Sequence, residues 1–600
     1  MTPTPATIFT DKVEQYRILA KHAGQRFNHL SVVRTLVFVL ALVGLVYLAN
    51  ARNDDGFLLL LLAFAVGFPW LIRYHNRLRT RRNHLLTLRL VNEDELKRLD
   101  FQLADFDQGS SFRTPRHPYT SDLDVFGEHS LFQLINRSAT PSGKATLAQW
   151  LSNPSAKPEL LERQAAVQEL THLTDWRQAF QAHGRQHTAS EENISTLLSW
   201  MNEPPALPRR GLYTALCYGL ALLTVASIIL YFTTGLLGYV VILLLVTNGI
   251  VLWTTAEVAL ATHRKTTQSV AALRAYQQMF VSVENQQFTS ELLQHIHAQL
   301  YHQGAPASRQ ISQLRYILDN FDARANLFYH IFNLVLLLDV FWLLRADRWK
   351  QRVQGDVAQW FAAISRAEAL SSIASFAFAH PTFIFPTIAD QPFLLRARGM
   401  GHCLIPPAQR VANNFTTQDR GTITIITGSN MSGKSTFLRT VGVNVVLALA
   451  GAPVCAEEFE VSVLQVFTSM RTQDSLEENV SSFYAELRRL RQLLDLLQAP
   501  DIPVLFMLDE ILKGTNSQDR HHGAASLIKQ LSKLEATGFV STHDLELGKL
   551  EETLPRVKNY SFTSTIEQNE IHFDYRLREG VCQSFNASKL MANMGIALEE

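Results

Sequence analysis

Cysteine is scarce. The 600 residues hold four, at 217, 403, 455 and 582, with no C-x-x-C pair among them. This spacing argues against a zinc site or a disulfide framework and fits a chain that works in a reducing cytosol. Excess charge is missing as well: 55 Lys and Arg face 54 Asp and Glu, a formal net charge of +1. No bulk basic field therefore draws nucleic acid to the molecule, and any DNA contact must be a local patch. Internal repeats and low-complexity tracts are not found, which excludes solenoids and linker-dominated chains. Charged residues are wholly absent from Thr35–Ala51, from Gly56–Ile72 and from the long stretch Gly211–Ala256.

What is abundant is apolar surface. Hydrophobic residues make up 47% of the chain and the mean hydropathy is near zero, high for a wholly soluble protein. The first two uncharged runs, each about 17 residues long and joined by Arg52-Asn-Asp-Asp55, just reach across a bilayer when flanking arginines snorkel; they predict a transmembrane hairpin. Two buried core helices are the alternative, but neither run has the polar stripe expected beside a solvated surface. A cleaved signal peptide is not expected, because about 30 polar and amphipathic residues precede the first run. Gly211–Ala256, broken near Thr233-Thr-Gly235, predicts a second hairpin on the same argument. Basic residues gather at one end of both: Arg26, Arg34, Arg73, Arg77, Arg79, Arg81 and Arg82 for the first, Arg209, Arg210, Arg264 and Lys265 for the second. The positive-inside rule puts those ends in the cytoplasm, giving a multi-pass protein of the cytoplasmic membrane whose large segments face the cytosol. A fifth apolar segment, Leu327–Leu344, contains His330, Asn333 and Asp339 and is expected to be a core-domain helix, since a charge at mid-span costs about 2.5–3.5 kcal/mol, with a membrane span as the alternative.

Chemistry enters at Gly428-Ser429-Asn430-Met431-Ser432-Gly433-Lys434-Ser435, a complete G-x-x-x-x-G-K-[ST] loop between the apolar Ile423–Ile426 and the helix-like Thr436–Leu449. Its glycines let backbone N–H groups close on phosphate oxygens, the helix N-terminus adds favourable partial charge, Lys434 reaches the β- and γ-phosphates, and Ser435 can ligate Mg²⁺. The run Pro503–Leu508 reads as a buried strand with Asp509 and Glu510 at its tip. Ligands collect at the carboxyl ends of parallel strands, so Asp509 is placed to hold Mg²⁺ through water and Glu510 to orient or deprotonate an attacking water. A third strand, Gly538–Thr542, ends in His543, a candidate γ-phosphate sensor.

These residues resemble the ATPase domain of the MutS family, relatives of the ABC-type ATPases. Thr427-Gly-Ser-Asn-Met-Ser-Gly-Lys-Ser-Thr436 is similar to the family's T-G-P-N-M-G-G-K-S-T, Leu508-Asp-Glu-Ile-Leu-Lys-Gly-Thr515 to its acid-pair segment, and Ser541-Thr-His-Asp-Leu-Glu-Leu547 to its A-T-H-x-x-E-L. Asp474-Ser-Leu with Ser481-Ser482-Phe483 resembles the D-D-L…S-T-F segment that family dimers present to the partner's γ-phosphate. Asp122–Ile135 with Thr140–Leu151 resembles the opening of the family's helical core, Glu368–Ala374 through Arg398 its junction with the ATPase, and Ser584–Gly595 its closing segment. The resemblance departs at Leu512 and Lys513, where the family often has Gly-Arg, and at Asn479, where a Gly usually stands. Neither a mismatch-reading N-terminal domain nor a nuclease domain is expected; Phe126-Gly-Glu128 falls inside the core opening and reads as structural.

The expected architecture is an α/β P-loop ATPase domain, ABC-like with a mostly parallel sheet, over 391–600. It follows an all-α core and lever domain over 121–390 that carries the second hairpin, and an N-terminal region over 1–120 that carries the first. Helical spacing over Leu85–Leu99, Pro158–His183, His263–His302 and Ser308–Leu318 supports the core and levers. The resemblance implies ATP and Mg²⁺ as ligands, a homodimer with composite sites, phosphate or ribose contact by Asn430, and adenine stacking by Tyr575, with Arg410 and Val411 across the base. An edge-strand aromatic is the alternative for Tyr575, and a helix N-cap for Ser481 or Ser482. Two functions stay open: a membrane-anchored ATPase that senses mismatched or branched DNA, or an ABC-like mechanochemical ATPase acting on a lipid or protein partner without DNA. A nucleotide-gated scaffold without turnover is disfavoured by Glu510, since binding alone requires no water-activating carboxylate.

Overall fold

The computed structural model describes residues 3–186, 191–236, 238–266, 269–417, 419–471, 482–498, 502–567 and 570–582. The N-terminal hairpin consists of two helices, Pro5–Asn50 and Asp54–Leu99, of 46 residues each, roughly 69 Å long at 1.5 Å per residue. Asn53 caps the second by accepting from Gly56 N at 3.0 Å, and Asp54 and Asp55 complement its positive end. The two uncharged runs form the turn-side half, where Leu40, Leu59, Val66 and Trp70 stand exposed. The other half docks on the helical region. Phe9 packs edge-on against Phe378, Lys12 Nζ donates to Asp175 at 2.5 Å, and Asn92 exchanges hydrogen bonds with Gln178. Buried Glu95 accepts from Arg137 Nε and Nη2 at 3.0 and 2.8 Å and lies 3.5 Å from Arg98. Burial alone would raise this carboxyl, but the two guanidinium groups outweigh it and hold it at about 2.

The second hairpin, Arg210–Thr234 and Gly238–Thr266, turns at Gly235, whose left-handed backbone (φ 72°) closes the first of its helices. Leu222, Phe232 and Trp253 face outward, while Thr224 and Asn248 face inward and are joined at 3.1 Å. All four hairpin helices are long and apolar enough to cross a membrane, by length and composition.

The segment 327–344 departs from expectation. It is two helices, Leu327–Leu336 and Leu338–Val353, bent by 75° at Leu337, which adopts a left-handed conformation (φ 52°). The second of these is the core helix expected from the sequence, burying Val340, Leu343, Leu344 and Trp349; the first leaves Phe328, Ile331 and Phe332 exposed. Asp339 explains how a charge is tolerated there. It accepts from Tyr329 and Asn333 and lies 3.2 Å from Arg324.

The helix Val357–Ala379 is buried along nearly its whole length and forms the spine on which Pro141–Ser152 and Lys157–His172 pack. Its Glu368 accepts from Ala139 N and Thr140 N at 2.7 and 3.1 Å, fixing the start of the helix that follows them, and burial raises this carboxyl to about 7.

Beyond the spine, β1 (Ile423–Thr427), β2 (Gln465–Ser469), β3 (Val504–Asp509), β4 (Thr537–Thr542), β5 (Val557–Glu567) and β6 (Glu570–Glu579) form one sheet in the order β6-β5-β1-β4-β3-β2. Neighbouring strands are parallel except β5 with β6. Strands β1, β3 and β4 are buried throughout, as continuous apolar runs require when helices cover both faces. The helix Lys434–Leu449 packs on one face, and Ser482–Gln498 and Ser517–Lys533 on the other. A second, mixed sheet of Thr387–Ala389, Leu395–Met400, Asn413–Thr417 and Glu458–Ser462 was not expected from the sequence. The helical region grips the parallel sheet through Asp122, whose carboxylate accepts from Thr468 Oγ1, Met470 N and Arg471 N at 2.7, 3.1 and 3.2 Å.

Candidate active site

The chain leaves β1 at Thr427 and loops through residues 428–433 into the helix Lys434–Leu449. Gly428 is required by close approach: a Cβ there would lie 2.9 Å from the Phe562 carbonyl oxygen. Gly433 is required by its left-handed backbone (φ 105°) and by the Tyr575 ring, 3.0 Å from where a Cβ would stand. Lys434, only 4% exposed, places Nζ 2.9 Å from both the Gly428 and the Ser429 carbonyl oxygens, and burial lowers its pKa. Ser432 Oγ is buried without a hydrogen-bond partner. A buried ammonium and an orphaned hydroxyl in one loop are the groups that an anion would satisfy.

The sheet register carries the acids to this loop. Ser541 of β4 pairs with Asp509 of β3, and Thr542 with Thr427 of β1, so three strand tips finish side by side. Ser541 Oγ donates to Asp509 Oδ1, holding that carboxylate at the sheet edge. Glu510, turned by a left-handed backbone (φ 50°), is bridged by His543 Nε2 on one oxygen and by Lys513 Nζ at 2.9 Å on the other. The His543 hydrogen bond, with that of Lys513, outweighs burial and holds the Glu510 carboxyl at about 2. The other His543 nitrogen, Nδ1, lies 3.1 Å from the Gly428 carbonyl oxygen and 3.4 Å from Lys434 Nζ. The imidazole thus spans from the loop to the acid pair.

A cleft of about 600 Å³ opens over the loop, lined by Asn430, Lys434, Ser435 and Thr436 on one side and by Ile405, Val411 and Tyr575 on the other, with Glu510 at its end. Tyr575, partly exposed on β6, is held there because Asn413 of the mixed sheet donates to its carbonyl at 3.0 Å and accepts from Leu577 N at 2.8 Å. A second cleft, about 410 Å³, lies beyond Glu510 and His543 and contains Arg520, His521 and Asp544. Glu510 therefore lines both clefts, with His543 beside it in the second.

The expectations for Gly428 through Thr436, Asp509, Glu510, His543 and Tyr575 converge on this one place. Arg410 is a correction: its guanidinium donates to the Ile405 carbonyl at 2.7 Å and lies over Phe383, so Val411 faces the cleft without it. Ser481 and Ser584–Gly595 lie outside the described residues, as does the side chain of Ser482, which opens the helix Ser482–Gln498. Sequence reasoning missed Ser541 and Lys513 as the partners of the two acids. It also missed Glu486, which accepts from Leu512 N. Leu512, where related sequences often have glycine, itself adopts φ 61° and buries its side chain, so a left-handed position is here occupied by a branched residue.

Mg²⁺ fits this donor set. Asp509 provides a carboxylate fixed by Ser541, and Ser435 a hydroxyl on the first turn of the helix that follows the loop.

Residues 424–594 match the family model described as MutS domain V. The chain is 30% identical to the DNA mismatch repair protein MutS of Rhodopirellula baltica over 244 residues, 40% of this chain and 27% of that protein. It is 34% identical to the protein of the same name from Thermotoga neapolitana over 181 residues, 30% of this chain and 22% of that one. With the human MutS protein homolog 4 it shares 31% identity over 183 residues, 29% of this chain and 19% of its relative. The chain thus spans under a third of the length of these curated relatives.

Proposed function

Since its C-terminal region belongs to the MutS family, we propose that this chain is a membrane-anchored ATPase, binding and hydrolysing ATP at composite sites of a homodimer and sensing DNA structure. The observation that carries the catalytic part is the meeting of Lys434, Asp509, Glu510 and His543 at the tips of three adjacent strands. The loop backbone and Lys434 would hold the triphosphate, and the apolar cleft wall of Ile405, Val411 and Tyr575 would take the base. Mg²⁺, held by Ser435 and Asp509, would neutralise phosphate charge. Glu510 orients the attacking water, and His543 ties Glu510 to the loop, so that acid and phosphate cradle move as one unit. Ser481 and Ser482 would complete the partner's site. The two hairpins would anchor the protein in the cytoplasmic membrane with the nucleotide site on the cytosolic side, which agrees with the basic residues at one end of each.

The experiment is equilibrium binding of ATP with Mg²⁺ to the detergent-solubilised chain, followed by phosphate release as protein concentration is raised. Uptake of nucleotide with a specific activity that climbs with concentration supports the shared site. No uptake overturns the reading.

The DNA part rests on the names of the relatives. A second reading, in which ATP drives a lipid or protein partner without DNA, is favoured by the helix Asp54–Leu99, which runs unbroken from its apolar half to the buried Glu95–Arg137 pair. Titration with duplex, mismatched and branched DNA across a salt series separates the two. Phosphate contacts require a steep salt slope, and a flat one with no nucleotide effect removes DNA.

A further inference from the structure

The second hairpin is accompanied at its apolar level by the short helix Leu327–Leu336. Asn248 Nδ2 donates to the Leu334 carbonyl at 2.9 Å and lies 3.5 Å from that of Val335, and Cys217 Sγ lies 3.9 Å from the Leu337 carbonyl. The Leu334 and Val335 carbonyls belong to the last turn before the break at Leu337, where no intrahelical donor follows; that of Leu337 accepts from Phe341 N at 3.0 Å. Asn248, fully buried within the uncharged part of its helix, supplies the missing donor. It sits ten residues past Gly238, roughly 15 Å from the hairpin's turn and about half the depth of a bilayer core.

Both ends of the bent segment return to the basic end of the hairpin. On the way in, Asp322 lies 3.3 Å from His263, which precedes Arg264 and Lys265. On the way out, the Asp347 carboxylate accepts from Ala206 N and Leu207 N at 3.0 and 3.2 Å and lies 3.9 Å from Arg210. The polarity of Leu327–Leu336 is also inverted. Phe328, Ile331 and Phe332 are 66%, 58% and 57% exposed, whereas Tyr329 and Asn333 are buried and donate to Asp339 at 2.9 and 3.0 Å. A helix facing water shows the opposite arrangement. An outer face that is apolar but for His330, with Tyr329 and Asn333 engaged on the inner side, belongs in hydrocarbon, and Leu222 and Trp253 on the hairpin are exposed in the same way.

We infer that Leu327–Leu336 is a re-entrant half-helix that enters the bilayer from the cytosolic side, turns back at mid-depth at Leu337, and presents Phe328, Ile331 and Phe332 to lipid acyl chains. This rests on the membrane anchoring proposed above. The returning helix Leu338–Val353 is followed after three residues by the spine Val357–Ala379, so lipid contact at the apex is one short connection from the support of the ATPase.

The full chain is reconstituted in phosphatidylcholine–phosphatidylglycerol vesicles carrying single added cysteines; the four native ones are buried. Spin labels at Ile331→Cys and Phe332→Cys are expected to be accessible to oxygen and shielded from a water-soluble nickel chelate, as at the hairpin controls Leu222→Cys and Trp253→Cys. Ala323→Cys and Arg352→Cys are expected to react with an impermeant maleimide from the same side. Nickel access at 331 and 332, or reaction of 323 and 352 from opposite sides, with the controls still shielded, overturns the re-entrant helix alone. Nickel access at the controls as well overturns the membrane reading and this inference with it.

Discussion

Replacing Glu510 with glutamine keeps the shape of the side chain and removes its charge, which tests the step that separates hydrolysis from binding. In the structure the carboxylate is held by His543 and Lys513 and stays ionised down to about pH 2. A group so acidic is a weak proton acceptor, so its contribution comes mainly from orienting water and from negative charge. The expected loss therefore lies at the low end of the 10²–10⁴ range for such groups, about 100-fold, or ~2.7 kcal/mol of barrier at 1.36 kcal/mol per decade. Affinity for ATP should persist, because the loop geometry depends on Gly428, Gly433 and Lys434 and not on Glu510. The assay is single-turnover phosphate release beside equilibrium binding of a fluorescent ATP analogue. Lys513→Ala serves as the control, since it removes one of the groups that depress the carboxyl and should move the acid limb of the rate profile upward. Turnover of Glu510→Gln within about threefold of the parent would refute the argument.

Lys434→Ala should abolish the thermal stabilisation given by ATP with Mg²⁺, because it deletes the buried cation at the centre of the loop; undiminished stabilisation in differential scanning fluorimetry would exclude that role. Glu368 offers a pH test. Its folded carboxyl is raised to about 7 from an ordinary 4.5, so the folded state binds more protons in that window. The resulting stabilisation is complete below about pH 4.5 and lost as pH rises through 7, at most ~3 kcal/mol. Glu368→Gln should flatten the dependence of the unfolding midpoint between those values, and an unchanged slope would contradict the assignment. At Leu512 two substitutions are expected to differ. Leu512→Ala keeps the left-handed strain and loses burial, costing about 2–5 kcal/mol. Leu512→Gly recovers about 1–2 kcal/mol of strain and should come out the milder of the pair by denaturant titration.

The nucleotide loop was legible because its chemistry is local: glycines, lysine and serine at fixed spacing act on their own backbone. The acid pair and His543 were legible because each follows an apolar run of strand length, and parallel strands present their ends together. The partners of these groups were not. Lys513 stood out only as a departure from related sequences, and Ser541 as one letter of a motif, until the pairing of β3 with β4 brought Ser541 beside Asp509. Arg410 was misassigned because adjacency to Val411 says nothing about which side chain turns into the cleft. The break at Leu337 was missed for a similar reason. Composition across 327–344 is uniformly apolar apart from His330, Asn333 and Asp339, and at the bend Asn333 and Asp339 turn inward to one another.

The sequence by itself determined where the chain is apolar enough to span a bilayer, which loop can cradle phosphate and which strand ends carry acids, because each of these depends on residues close together along the chain. Only the tertiary structure decided that Glu510 is held between His543 and Lys513, that Asn413 of a second sheet fixes Tyr575 over Gly433, and that Asn248 meets the open end of a broken helix. Apart from the near neighbour Lys513, those contacts join residues from 33 to 162 positions apart. Their geometry follows from sheet register and helix packing, which no local spacing encodes.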